Sequence, residues 1–144
     1  MALPGLERLA GTPFPEGSFT IAAEEDAELR EIIGSEPSTG GLAHPLWAYI
    51  ATQRGIGISV ADLCRLADFD IADGPMLGST ELEYAATLRP GVAYRVVGEI
   101  VDVVRKHGRS GTFDVLRYRE RLLDGADTVA TTTSTFILPR LEDA

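Results

Sequence analysis

Few side chains in this sequence can move a proton or attack a carbon, and their spacing sorts them quickly. There are two histidines, His44 and His107, and one cysteine, Cys64. Imidazole exchanges protons near neutrality, so His44, in Leu42-Ala43-His44-Pro45, is the candidate general base. Its other reading is a residue at a helix start that hydrogen-bonds nearby backbone. Asp68, Asp70 and Asp73 are either the carboxylates that orient it or ordinary loop residues ahead of a sheet. His107, between Lys106 and Gly108, reads as exposed at a strand end. Cys64 recurs with Val60, Leu63 and Ala67 at spacings of three and four, a core pattern rather than a nucleophile's. Thr131, Thr132, Thr133 and Thr135 reflect strand propensity. No Ser-His-Asp order, glycine-rich phosphate loop or metal-ligand spacing is present, so no metal or resident cofactor is expected.

The cations Arg105, Lys106 and Arg109 crowd around His107. Such a cluster is either a solvated turn or a contact for a ligand's phosphate, which needs several cations close together. The chain as a whole is acidic, with 22 Asp and Glu against 13 Lys and Arg and a formal charge of −9. That balance repels a phosphate backbone, so no nucleic-acid partner is expected. No run approaches the roughly 20 apolar residues of a membrane span. The start, MALPGLERLAG, lacks a basic segment followed by an apolar one. With a single cysteine, a reducing, cytoplasmic location is the simple expectation.

The elements that must position these residues follow from punctuation and period. Residues 1–17 hold several prolines and glycines and read as an irregular lead-in, 18–140 as one domain and 141–144 as a tail. Ser18 to Ile21 reads as a short strand. Ala23 to Ile33 reads as a helix, with Glu24, Glu25 and Asp26 where the dipole favours negative charge, apolar Ala27, Ile32 and Ile33 behind, and Gly34 as the stop. After a small-residue loop, His44 to Thr52 is a helical segment opened by Pro45. Ser59-Val60-Ala61-Asp62 resembles a capping box that starts a short helix to about Ala67.

Beyond Gly74-Pro75 the pattern changes to strands: Leu77–Leu88, Val92–Arg105, Thr112–Leu123 and Thr128–Leu138. In the second, Val92, Tyr94, Val96, Gly98, Ile100 and Val104 share a face, with Asp102 the exception. A strand of about 14 residues must curve, and Gly98 is a natural place for a bend or bulge. Tight turns make the last three an antiparallel meander, which needs the helical middle to cover it. The class is α+β, a buried helical segment wrapped by a curved antiparallel sheet.

Three segments together resemble the MaoC-like hydratase/dehydratase family, in particular its fatty-acid-synthase-type N-terminal dehydratase branch. They are Leu42-Ala43-His44-Pro45; Glu81-Leu82-Glu83-Tyr84 with Leu88-Arg89-Pro90-Gly91; and Gly98-Glu99-Ile100-Val101-Asp102-Val103 followed by Gly108 and the threonine-rich Ala130 to Ile137. The separation of the His-Pro pair from the Pro-Gly turn, about 45 residues, is also similar. The resemblance runs from about Phe19 to Leu138. It implies a hotdog fold and action on an enoyl or 3-hydroxyacyl thioester of CoA or acyl carrier protein. Family members resemble one another in a G-D-x-N-P-x-H loop, whose Asp and His handle a proton or hold a water. A backbone N–H at the start of the central helix polarises the thioester carbonyl.

This sequence departs from that pattern twice. The matching stretch is Ile33-Gly34-Ser35-Glu36-Pro37-Ser38-Thr39, with Ser35 in the aspartate's place and Thr39 near the histidine's; the loop is also shortened. An alternative alignment on Leu42 to Trp47 restores neither acid nor base. At the helix start, where active members have a glycine, Pro45 offers no N–H. Some dehydratases of the branch are heterodimers in which one hotdog subunit carries the pair and the other shapes the acyl pocket. The resemblance therefore implies an accessory subunit, partnered by a catalytic hotdog subunit or by its own copy. On it, Ser35, Pro45, Leu46, Trp47 and Tyr49 contact the acyl group, and Arg105, Lys106 and Arg109 the pantetheine or nucleotide phosphate. Two alternatives stand beside it: a self-sufficient hydratase or thioesterase built around His44, and a domain that only binds acyl-CoA.

Overall fold

The computed structural model describes residues 6–140; the 141–144 tail and the first five residues of the lead-in lie outside it. Strand β1 is Gly17–Thr20, helix α1 Ala23–Ile33, helix α2 Trp47–Gly55 and helix α3 Val60–Leu66. Strands β2 (Met76–Tyr84), β3 (Ala93–Gly108), β4 (Gly111–Asp124) and β5 (Asp127–Pro139) complete the domain. The five strands form one antiparallel sheet in the order β1-β3-β4-β5-β2. Helix α2 packs across β1, β3, β4 and β5. This is the hotdog arrangement, a helix held in the concave face of a curved sheet.

Local sequence explains most of the boundaries. Gly34 ends α1 in the left-handed region, its N–H bonded to the carbonyls of Arg30 and Glu31. The Ser59 hydroxyl caps α3 by accepting from the Asp62 amide. Leu63, Cys64 and Ala67 are buried as their spacing predicts, but Val60 is exposed, because the first turn of α3 stands clear of the sheet. Strand β2 stops at Tyr84 rather than Leu88, because the amides of Ala85 and Ala86 both turn onto the Val129 carbonyl. Leu88 then drops into the core.

The lead-in is irregular but not peripheral. Leu6, Leu9 and Phe14 are buried, and Pro13 forms an isolated bridge with Glu99. Phe14 donates its amide to the Gly98 carbonyl at 2.8 Å. Here the sequence expectation is corrected. Gly98 is not the bulge; the register slips between Ile100 and Asp102 instead. That slip carries Val103 inward and leaves Asp102 and Val104 outward, which explains why Asp102 broke the alternation. Gly98 serves close packing: a Cβ there would stand 2.9 Å from the Arg119 carbonyl oxygen and 3.0 Å from both Glu120 Cγ and the Phe14 ring. Gly55 does the same for α2, where a Cβ would meet Val96 Cγ2 at 2.7 Å.

Two apolar clusters fill the space under the helices. One gathers Ile21, Ala43, Trp47, Ala48, Ala51, Tyr94 and Leu122 beneath the start of α2. The other gathers Leu9, Phe14, Leu63, Cys64, Ile100, Leu116 and Phe136 beneath α3. Between them runs a polar belt. Gly98, Glu120 and Thr132 stand opposite one another across β3, β4 and β5, while Tyr118 and Thr80 flank Ser134.

Candidate functional site

The start of α2 is organised by Asp26, which in the sequence reads only as a partner of the helix dipole. Helix α1 buries Asp26 and exposes Ala27, Ile32 and Ile33, the reverse of its apparent polarity. Asp26 Oδ1 accepts from the His44 amide at 2.7 Å and from the Trp47 indole Nε1 at 3.0 Å. Its Oδ2 accepts from Arg30 Nε at 2.9 Å. Burial alone would raise the Asp26 pKa. The His44 hydrogen bond, the hydrogen bond and charge of Arg30, and Trp47 together outweigh it and hold the carboxyl below its ordinary value. Arg30 also donates to the Glu36 and Leu42 carbonyls, so one ion pair fastens α1, the 35–41 loop and the α2 start together.

Every amide of this helix start has a partner. Leu46 N–H donates to His44 Nδ1 at 3.0 Å. Trp47 donates to the His44 carbonyl, Ala48 to that of Pro45, and Tyr49 and Ile50 to that of Leu46. Pro45 has no N–H, and its carbonyl also accepts from the Tyr84 hydroxyl at 2.7 Å. The donors that a helix normally leaves open are closed. His44 is itself one of the caps. Accepting through Nδ1 leaves the proton of the neutral ring on Nε2, so the lone pair a base would use is occupied. Asp26 meets the His44 backbone, not its ring. Asp68, Asp70 and Asp73 lie far along the chain beside α3, where Asp70 caps the short turn Ile71–Asp73.

The expected contact residues separate. Ser35 lines a cleft of about 520 Å³ with Ala27, Arg30, Pro37 and Pro90. Pro45 lines a second, of about 440 Å³, with Arg30, Thr39, Leu42, Tyr84 and Leu88. Leu46 and Tyr49 line a third, open one of about 360 Å³, against Leu77, Gly78, Ser79, Thr80 and Leu82 of β2. Trp47 is in the core, 3% exposed and packed on Phe19. The basic cluster lies at the other end of β3, about 35 Å of strand beyond Tyr94. There Lys106 and Arg109 are exposed. Arg105 instead makes a two-pronged contact with the fully buried Asp114, at 2.8 and 3.0 Å. Arg140 binds the same carboxylate at 2.7 Å and reaches the carbonyls of Ala67 and Asp68. Burial raises the Asp114 pKa, but the two arginines override it and hold it low.

The second buried constellation was also missed. Glu120 is 1% exposed, and Gln53 Nε2 donates to its Oε1 at 2.8 Å. The Tyr118 hydroxyl donates to Gln53 Oε1 at 3.1 Å. Burial, opposed by that one amide, pushes the Glu120 carboxyl up to about 8. Burial and the nearby Glu120 also raise Tyr118 and Tyr49. The signal for Glu120 and Asp114 was present in β4. Asp114, Leu116, Tyr118, Glu120 and Leu122 share one parity, and all five are buried. Asp26 gave no such signal, because a first-turn acid reads as a dipole partner.

No known family profile matches the chain, and no curated protein matches it in sequence. Solved structures do. The chain is similar to the ChsH1–ChsH2 complex of Mycobacterium tuberculosis, with TM-score 0.71 at 18% identity over 96% of this chain and 89% of that one. It is similar to a MaoC-like dehydratase of Rhodospirillum rubrum, with TM-score 0.66 at 16% identity over 96% and 99%. It is also similar to HadBC, a 3R-hydroxyacyl-ACP dehydratase complex of M. tuberculosis, with TM-score 0.64 at 13% identity over 90% and 96%. The fold is the hotdog fold of MaoC-like dehydratases. Among the described residues, no helix is long and apolar enough to cross a membrane.

Proposed function

We propose that this chain is the acyl-thioester-binding, accessory hotdog subunit of an (R)-type enoyl hydratase or 3-hydroxyacyl dehydratase. The observation that carries the reading is the closed start of α2. An enolate-like transition state needs a donor at the carbonyl oxygen and a base nearby. Here the amides are taken, proline replaces one of them, and the His44 ring caps Leu46. With its Nδ1 lone pair taken and, among the described residues, no carboxylate bonded to its ring, His44 is a poor base. The clefts around Pro45 and along Leu46 and Tyr49 suit an acyl group, whether carried on CoA or on acyl carrier protein.

The missing chemistry would come from a second hotdog subunit. Strand β2 is a sheet edge, and Met76, Leu77, Leu82 and Tyr84 on it are exposed. An unpaired edge with apolar side chains favours pairing with another strand. That two of the similar structures are complexes supports a partner of the same fold. The expected setting is the cytoplasm.

The test is hydration of crotonyl-CoA and longer enoyl-CoAs by the purified chain, alone and mixed with hotdog proteins encoded beside it. No turnover alone and turnover in one mixture is the expected result. Turnover by the chain alone, abolished by His44→Ala, would establish the self-sufficient alternative instead.

A further inference from the structure

The polar belt and an open cleft share walls on α2 and β2, and the belt's chemistry constrains a ligand that reaches it. Leu46, Tyr49 and Gln53 are spaced by three and four on α2, so they form one stripe of the helix. Leu46 and Tyr49 wall the cleft against β2. Gln53, about 6 Å beyond Tyr49 along the helix axis, is half-buried and holds Glu120 and Tyr118. Thr80, on the cleft's opposite wall, bonds Ser134 at 3.1 Å, and Ser134 stands opposite Tyr118. Polar side chains thus run from the cleft into the space between the two apolar clusters.

A chain buried only for packing has apolar residues at such positions. Here Glu120 has one hydrogen bond among the described residues and no cation beside it. Arg119 and Arg121 sit on the opposite parity of β4, and Arg121 faces Glu99 on that outer side. A neutral carboxylic acid in this setting keeps one O–H to donate. A ligand oxygen without charge satisfies it; a ligand carboxylate would meet no counter-charge.

We infer that the cleft along Leu46 and Tyr49 ends on a polar subsite of Gln53, Tyr118 and Glu120, which takes a hydroxyl or carbonyl group borne on the ligand's acyl part, remote from the thioester. The inference rests on the acyl-thioester reading above and narrows it to oxygenated acyl groups. Tyr49 lines the cleft about one helical turn before Gln53.

Calorimetry with the full chain tests it. The probes are hexanoyl- to dodecanoyl-CoA, the same chains with a terminal hydroxyl, and the same chains with a terminal carboxylate. At one chain length the hydroxylated thioester binds about 5- to 10-fold tighter than the methyl-ended one, the gain of one buried hydrogen bond. The carboxylate gains nothing. Glu120→Leu removes the preference and Glu120→Gln, which still hydrogen-bonds, keeps part of it. Should Glu120→Leu fail to fold, Gln53→Leu at the half-exposed end of the cluster must weaken the preference. Equal binding of hydroxylated and methyl-ended chains at every length overturns the subsite and leaves the acyl reading intact. A preference that survives both leucine variants does the same. Failure of every thioester to bind overturns both.

Discussion

Asp26 and Glu120 are two carboxylates withdrawn from water within one small domain, and their partners give them opposite protonation. Asp26 has a backbone amide, an indole N–H and a guanidinium around it, so it stays charged. Glu120 has, among the described residues, a single carboxamide, and keeps its proton to about pH 8. The first ties helix, loop and helix into one rigid corner. The second leaves a neutral acid beside a cleft. Burial alone does not determine what a carboxyl does; the donors and cations brought to it do.

Removing the better-satisfied acid should cost the most. Asp26→Ala strands the Arg30 charge, the His44 amide and the Trp47 indole together. Breaking a buried pair in this way costs about 3–5 kcal/mol, read as a fall in urea midpoint. A loss below about 1 kcal/mol would show that water replaces those contacts and that the corner is not rigid.

The two acids should also give pH dependences of opposite sign. Glu120 has a folded pKa above its ordinary 4.5. Its contribution to stability is complete below that value and is lost as pH rises through about 8. The full swing is on the order of 5 kcal/mol, and Glu120→Gln should flatten it. Asp26 has a folded pKa below 3.8, so its contribution is complete above 3.8 and lost as pH falls through the depressed value. Unfolding curves from acid to pH 9, with and without Glu120→Gln, separate the two. A wild-type curve that does not fall between about pH 5 and 8 would refute the neutral acid.

His44→Ala should have the smallest effect, about 1 kcal/mol for one hydrogen bond at the helix start. Any accompanying change in thioester affinity should be slight. A large loss of binding with unchanged stability would mean that the ring touches ligand rather than capping Leu46.

What the sequence disclosed follows the same division. The class, the antiparallel strands, the extent of α1 and the cap at Ser59 were legible because each rests on local period or punctuation. Alternation on β3 placed Tyr94, Val96 and Ile100 on one face, and all three are buried. The bulge was misplaced because a glycine in a strand signals either a kink or a close approach, and only the neighbours decide. Gly98 was needed for Phe14 and Glu120. The burial of Asp26 was illegible: apart from Arg30 on the same helix, its partners come from residues 18 and 21 positions away, brought together by the fold. Arg105 looked like a free cation for the same reason, since nothing local pairs it with Asp114 across the hairpin.

A carboxyl-carbon NMR titration of the labelled chain reads both acids in one sample. A Glu120 resonance that shifts near pH 8 while Asp26 holds its charge below pH 3.8 is the expected pair of curves. Both signals moving together in the ordinary range, near 4, would contradict the claim that their different partners set their charge.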